Sequence, residues 1–261
     1  MAPARSSRAS STTRPATSWS SWPRNITSRP TQVTTVTETT PDTPIAAFFD
    51  LDETLIAANS ARLWITHMWR QGKLGLRDTV RSLGWLLRYR FAMIDMADIS
   101  RKALAGLDGQ VEDELRADVL AWYEQQIKDL FYDDAIALIE RHREQGHHLI
   151  LLTAASPYIA EPVCRDLQLH DLLCTRLEVR PDGRFSGRPV EPLCYGEGKV
   201  HWAERLAQER GVDLDRSYFY TDSYTDLPML RRVGHPVATN PDPRLRRLAL
   251  QEGMAVRDFV Q

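Results

Sequence analysis

The sequence predicts an α/β fold: a mostly parallel sheet with helices on both faces, interrupted near its start by an all-helical insert. Three observations predict it. From residue 131 onward short apolar runs alternate with helical periodicity, the order that builds a covered parallel sheet. One further apolar run, "IAAFFD" at 45–50, precedes that series. Between the two, from 59 to 130, apolar residues recur at helical spacing only. The expected division is a core of residues 45–58 and 131–261, a helical cap of 59–130, and an N-terminal tail of 1–44.

The elements follow in order. The tail is rich in Ser, Thr, Pro and Arg without hydrophobic periodicity, so it cannot bury enough apolar area to offset its ordering entropy and is expected to be disordered. Its Arg- and Ser-rich, acid-poor texture also suits an organelle transit peptide, with a linker or an over-extended start as the plainer alternatives. "IAAFFD" is long enough for a buried strand. In the insert, Trp64, Ile65, Met68 and Trp69, then Val80, Leu83, Leu87 and Phe91, then Leu115, Val119, Trp122 and Tyr123 trace amphipathic helices. The run "LGWLLRYRFAMI" at 83–94 is aromatic and basic enough for a membrane surface, but the same residues suffice to pack a helical bundle, which is the expected reading.

Next, "DDAIALIERHREQG" reads as a helix with Asp133 or Asp134 near its start and Gly146 just past its end. "HHLILLT" is a strand, and "SPYIAEPVCRDL" a helix with Ser156 as cap and Pro157 at its first position. Asp182-Gly183 between extended runs predicts a hairpin. "GKVHWAERLAQERG" is a helix ending at Gly211, followed by strand "SYFYTD", helix "TDLPMLRRVG", strand "HPVATN", helix "PDPRLRRLALQEG" and strand "MAVRDF".

Composition narrows the function classes. Net charge is −2, and from Glu38 onward 28 basic residues face 35 acidic ones, so no nucleic-acid-binding surface is expected. The three cysteines form no C-x-x-C pair, which argues against a disulfide framework or zinc site and for a reducing, cytoplasmic setting. No run of 18 apolar residues occurs, so stable membrane insertion is not expected. "GEGK" is not a phosphate-binding P-loop: Leu193 stands where the first glycine belongs, and Val200 follows the lysine.

Ligands of open α/β sheets bind at the carboxyl ends of the strands. The polar residues there are Asp50 and Asp52 after the first strand, Thr153 after "HHLILL", and Asp222 after "SYFYT", with Asp226 one turn on; Lys199 opens a helix. Clustered carboxylates need a cation, and hard oxygen ligands in small number point to Mg²⁺. Lys199 and Thr153 suit phosphoryl oxygens, which together suggests phosphoryl transfer. Asp50, held rigidly by its strand, suits a nucleophile, and Asp52 a proton donor and acceptor. Taken singly, Asp52 reads equally well as a helix cap and Asp50 as a turn residue; a surface lysine at Lys199 and a buried strand threonine at Thr153 are the plainer alternatives to their phosphate roles.

"DLDET", "LLTAAS", "GEGK" and "TDSYTD", in that order, resemble the four motifs of the haloacid-dehalogenase superfamily over roughly residues 45–260. The resemblance is nearest to the phosphoserine-phosphatase-like branch, whose helical cap lies between the first two motifs. It implies a Rossmann-like core; Asp50 as nucleophile and Asp52 as acid/base; Thr153, Lys199, Thr54 and Ala154 at the substrate phosphate; and Mg²⁺ held by Asp50, the Asp52 carbonyl and Asp222, supported by Asp226. It implies a phosphatase for a small-molecule phosphate ester, with histidinol phosphate and phosphoserine as candidates. The chain departs from the family at Ser223 and Thr225 in the fourth motif. Asn59 and Ser60 also stand where phosphoserine enzymes place an acid for the substrate amine. Asn59, Ser60 and Arg62 are candidate pocket residues under the cap. A phosphotransferase using the same intermediate, or a non-catalytic binding protein on the same fold, is the alternative.

Overall fold

A computed structural model describes residues 43–73, 75, 80, 101 and 104–260. Nearly all of the predicted tail lies outside the described residues, as do Leu83, Leu87, Phe91 and the whole 83–94 run. In chain order the elements are β1 (Ala46–Phe49), α1 (Ser60–Arg70), α2 (Glu112–Gln126), α3 (Asp133–Glu144), β2 (His148–Thr153), α4 (Pro157–Asp166), β3 (Asp171–Cys174), β4 (Leu177–Val179) and β5 (Phe185–Pro189). They continue with α5 (Glu197–Arg210), β6 (Tyr218–Thr221), α6 (Leu227–Arg232), β7 (His235–Thr239), α7 (Pro243–Glu252) and β8 (Ala255–Arg257).

Six strands form one sheet in the order β3-β2-β1-β6-β7-β8, every pair parallel. All four β1 residues have no exposed surface. Successive side chains of a strand point to opposite faces, so both faces of the sheet are covered at its centre. From β1 the chain builds outward through β2 and β3, then crosses back to β6 on the other side. That reversal leaves a crevice beyond the carboxyl ends of β1 and β6, the usual ligand site of such sheets.

Several local expectations are met. Gly211 ends α5 in the left-handed region at φ 68°, where a side chain would be strained. The Asp182-Gly183 hairpin joins β4 to β5, with Arg184 N–H donating to Asp182 Oδ1 at 3.1 Å. Ser156 occupies the cap position of α4, but its side chain makes no capping bond; Pro157, which lacks an N–H, leaves one amide fewer to satisfy. Strand β3 was not predicted: "DLLC" is only four residues long and lies between a helix end and a hairpin, so periodicity cannot isolate it.

In the insert, α1 and α2 meet through an edge contact of Trp64 and Trp122 at 5.1 Å and a Gln126–His67 bond of 3.0 Å. Trp69, expected on the packed face, is 45% exposed. Helix α2 docks on α4 through Tyr123 OH to Asp166 at 2.9 Å, Tyr158 OH to Glu112 at 3.2 Å and the Arg116–Glu161 ion pair. Ahead of α2 the backbone grips the hairpin: Phe185 N–H donates to Gln110 O and Glu112 N–H to Gly183 O, both at 2.9 Å. An isolated bridge between Val111 and Arg184 adds a strand-like contact there. Among the described residues no helix is long and apolar enough to cross a membrane, and the three cysteines are buried and free.

Candidate active site

Register builds the site. Phe49 pairs with Leu151 on β2 and with Tyr220 on β6, so Thr153 and Asp222 both stand level with Leu51, between Asp50 and Asp52. Asp50 continues the ladder, its N–H donating to Tyr220 O at 2.9 Å. The chain then turns sharply, with Leu55 and Ile56 N–H both donating to Leu51 O at 2.9 and 3.1 Å. Glu53 takes φ 54° in this turn, a conformation uncommon for a residue with a side chain.

Lys199 reaches the site from the first turn of α5. Its side chain is buried, and Nζ donates to Asp50 Oδ1 at 3.0 Å and to Asp226 Oδ2 at 2.6 Å. Thr221 Oγ1 donates to the same Asp226 oxygen at 2.7 Å. The helix start must come very close to the preceding loop. A Cβ on Gly198 would lie 1.8 Å from Leu193 O, so only glycine lets Lys199 sit this deep. Asp52 Oδ1 accepts the Ser60 N–H at 3.0 Å, satisfying an amide that the first turn of α1 leaves unpaired. The capping and acid/base readings of Asp52 are thus compatible, because its second oxygen is not part of that bond.

Electrostatics follow burial. Burial raises Asp50 to about 6, with Lys199 pulling down and Asp226 pushing up. Burial also raises Asp52 to about 7; the Ser60 amide opposes the rise and Asp50 adds to it. Asp222 is held well above the carboxylate range by burial and then by Asp50, Asp226, Asp52 and Glu53. Burial alone would lower Lys199, but Asp226 and Asp50 outweigh it and hold the ammonium charged. Asp222 has no ion pair among the described residues.

The other predicted positions are placed as follows. Thr153 is buried and its Oγ1 accepts the Ala155 N–H at 3.1 Å. Ala154 is exposed beside it. Thr54 is fully buried and its Oγ1 has no hydrogen-bond partner. Asn59 caps α1 by accepting the Arg62 N–H at 2.9 Å, and Arg62 is exposed. Sequence reasoning missed Thr221 and Gly198. The first had a signal, adjacency to Asp222; the second had none, since the approach of Leu193 is visible only in three dimensions.

Comparison with known proteins accords with this geometry. The haloacid dehalogenase-like hydrolase family matches residues 47–231. Phosphoserine phosphatase SerB1 of Mycobacterium tuberculosis (strain ATCC 25618 / H37Rv) is 37% identical over 225 residues, 84% of this chain and 72% of that protein. A histidinol-phosphatase of Neisseria meningitidis serogroup C (strain 8013) is 30% identical over 217 residues, 82% of this chain and 98% of that one. A crystal structure of a protein of unknown function from Bordetella pertussis Tohama I shares the fold at TM-score 0.75 and 30% identity, over 83% of this chain and 99% of that one. The family match runs from the second residue of β1 through the loop of Asp222 and Asp226. The chain therefore belongs to the haloacid dehalogenase-like hydrolases, in their phosphoserine-phosphatase-like branch.

Proposed function

We propose that this hydrolase is a Mg²⁺-dependent phosphoric monoester hydrolase acting on a small-molecule phosphate ester, with a covalent phosphoryl group carried on Asp50. One observation supports it above the rest: two neighbouring carboxylates, Asp50 buried and Asp52 half-buried, have different partners. Asp50 is bonded to the Lys199 ammonium, which favours its anion; Asp52 has an amide partner and is raised to about 7. Paired carboxylates whose surroundings differ can divide nucleophilic and proton-transfer work.

The Asp50 carboxylate attacks phosphorus and the ester P–O bond breaks. The departing alkoxide takes its proton from the Asp52 carboxyl. Asp52, now ionised, takes a proton from water, whose oxygen attacks phosphorus; phosphate leaves and the Asp50 carboxylate is restored. A group titrating near neutrality suits both halves of this cycle. Lys199 and Thr153 are the proposed donors to the phosphoryl oxygens, with the loop through Ala154 beside them and Thr54 supporting the turn from within.

Asp50, Asp222 and the Asp52 carbonyl form a hard-oxygen set that fits Mg²⁺, which keeps several waters and shares ligation with substrate phosphate. Among the described residues no three His, Cys, Asp or Glu side chains make a metal site alone, so this set needs the Asp52 carbonyl and substrate oxygens to complete it. The unpaired, electrostatically loaded Asp222 is the residue that most needs the cation. When bound, Mg²⁺ neutralises charge on the phosphoryl oxygens.

Helices α1 and α2 are assigned to a cap spanning 59–130 that limits bulk water over the site. The names of the relatives make phosphoserine and histidinol phosphate the first substrates to test. The three free thiols support a cytoplasmic setting. The experiment is a panel of phosphorylated metabolites assayed for phosphate release with Mg²⁺ and with chelator. Metal-dependent release is expected, lost in Asp50→Asn while the thermal midpoint is retained. Full turnover by Asp50→Asn would remove the nucleophile assignment.

A further inference from the structure

The mechanism leaves unused the segment Asn240-Pro241-Asp242, between β7 and α7. Asn240 Nδ2 donates to Glu53 O at 3.0 Å, the carbonyl that follows Asp52 in the chain. Asp242 N–H donates to Asp222 O at 2.8 Å, and Asp242 Oδ2 accepts the Tyr224 N–H at 2.7 Å. One short segment thus grips both carboxylate-bearing loops, one from each side of the crevice.

The grip is itself braced. Asn240 sits at φ 46° and bonds Glu53, at φ 54°; two left-handed residues with side chains face each other across one hydrogen bond. Such conformations persist where surrounding contacts over-determine them. Asn240 Oδ1 accepts the Phe259 N–H at 2.7 Å, and its own N–H donates to Arg257 O at 2.8 Å. Phe259 packs edge-on to Tyr132 at 5.9 Å. Asp242 Oδ1 caps α7 through the Arg244 and Leu245 amides at 2.7 and 3.0 Å. Pro241, with its fixed φ, joins the two at a set separation.

We propose that Asn240 and Asp242 are positioning residues, two jaws of a bracket that fixes the Asp50–Asp52 turn against the Asp222–Asp226 loop. The inference rests on the reading of Asp52 as acid and base and of Asp222 as a metal ligand. It assigns each jaw a distinct effect. Asn240 holds the backbone next to Asp52, so it sets how well a proton reaches the leaving oxygen. Asp242 holds the loop of Asp222, with its side chain at the Tyr224 N–H and its own N–H at Asp222 O, so it sets how well the metal is received, and the side-chain bond is the part a substitution can cut.

Two isosteric substitutions cut one bond each. Asn240→Asp keeps the acceptor for Phe259 and tolerates the left-handed conformation, but turns an oxygen toward Glu53 O. Asp242→Asn keeps an oxygen for the α7 cap, where asparagine serves as well as aspartate, and loses the acceptor for Tyr224. With Asn240→Asp, kcat/KM for an alkyl phosphate should fall about ten- to a hundred-fold. For p-nitrophenyl phosphate, whose leaving group needs little proton assistance, it should fall less than about threefold. With Asp242→Asn, Mg²⁺ binding by calorimetry should weaken about tenfold, the thermal midpoint staying within a few degrees. Equal losses on both substrates, or wild-type kcat/KM on both, in Asn240→Asp would overturn the first jaw; unchanged Mg²⁺ binding in Asp242→Asn would overturn the second. Calorimetry needs no turnover. Failure of the phosphatase reading, seen as no metal-dependent phosphate release by wild type from any ester of the panel, is therefore distinguishable from failure of the bracket.

Discussion

Lys199 is where the electrostatic account is most exposed to experiment. Lys199→Met removes the ammonium and roughly keeps the length of the stem. In the folded protein it deletes two charge-assisted bonds, 3.0 Å to Asp50 and 2.6 Å to Asp226, and leaves two buried carboxyls with no cation between them. Removing one partner of a buried ion pair costs about 3–5 kcal/mol, because the remaining charge is uncompensated. For a domain of this size that is a fall in thermal midpoint of roughly 10 °C. The sign with pH also follows. Asp50 stands at about 6 while Lys199 is pulling it down; without the lysine it moves higher. A carboxyl raised in the folded state contributes most below its unfolded value, about 3.9, and that contribution is lost as pH rises through the folded value. The deficit of Lys199→Met against wild type should therefore be small at pH 5 and full at pH 8. Urea unfolding of both proteins at the two pH values, in chelator, measures it. Equal stability at pH 8, or a deficit larger at pH 5 than at pH 8, would refute the reasoning.

Gly198→Ala should lower the thermal midpoint and reduce kcat at least about tenfold, since the added carbon meets Leu193 O at 1.8 Å and must displace the helix turn that carries Lys199. Alanine's better helix propensity, worth about 1 kcal/mol, works against this, so a variant with wild-type midpoint and kcat would show that the contact yields freely. His142 is buried, bonded to Tyr220 OH at 2.7 Å, and lowered to about 4 by burial and then by His147. Its neutral form contributes stability that is complete above about pH 6.5 and is lost as pH falls toward 4, on the order of 3 kcal/mol. Urea titrations at pH 7.5 and 4.5 should show a smaller acid loss in His142→Gln than in wild type; an identical loss would assign acid sensitivity to other groups.

The parts of this molecule legible in its sequence share a physical cause. An apolar run that stops at a polar residue marks a buried strand reaching the edge of the sheet, so Asp50, Thr153 and Asp222 could be placed at strand ends. A glycine after an amphipathic stretch marked the ends of α3 and α5 for the same local reason. What could not be read depends on contacts between distant segments. β3 is a strand because its backbone pairs with β2, with Ile150 opposite Asp171, and four residues carry too little period to announce it. Trp69 fits an apolar helical face yet is exposed, because a period fixes which residues share a face but not whether a partner covers all of it. Asp52 was read as acid/base or as cap; its bond to Ser60 allows both. The Asn240 and Asp242 contacts cross 187 and 18 positions of sequence to Glu53 and Tyr224, and "NPD" read alone is only a strand end followed by a helix cap.

The charges in the crevice set a condition that any substrate must meet. Asp50, Asp52, Asp222 and Asp226 face one ammonium, and Lys199 already bonds two of them. A phosphate monoester brings close to two further negative charges near neutral pH. At an effective dielectric of about 20, each unit charge pair at 4 Å contributes about 4 kcal/mol; at comparable distances one ammonium offsets the repulsion of a dianion by one carboxylate, and Lys199 is shared by two, Asp50 and Asp226. Protonating Asp52 removes one repulsive charge, which its position near 7 permits, and Asp222, raised well above its usual range, also gives up its charge unless a cation holds it ionised. A divalent ion held by Asp50, Asp222 and the Asp52 carbonyl would supply the positive charge that one ammonium cannot. In the proposed reaction Lys199 keeps Asp50 ionised and in place, and Mg²⁺ would neutralise the charge of the incoming phosphate.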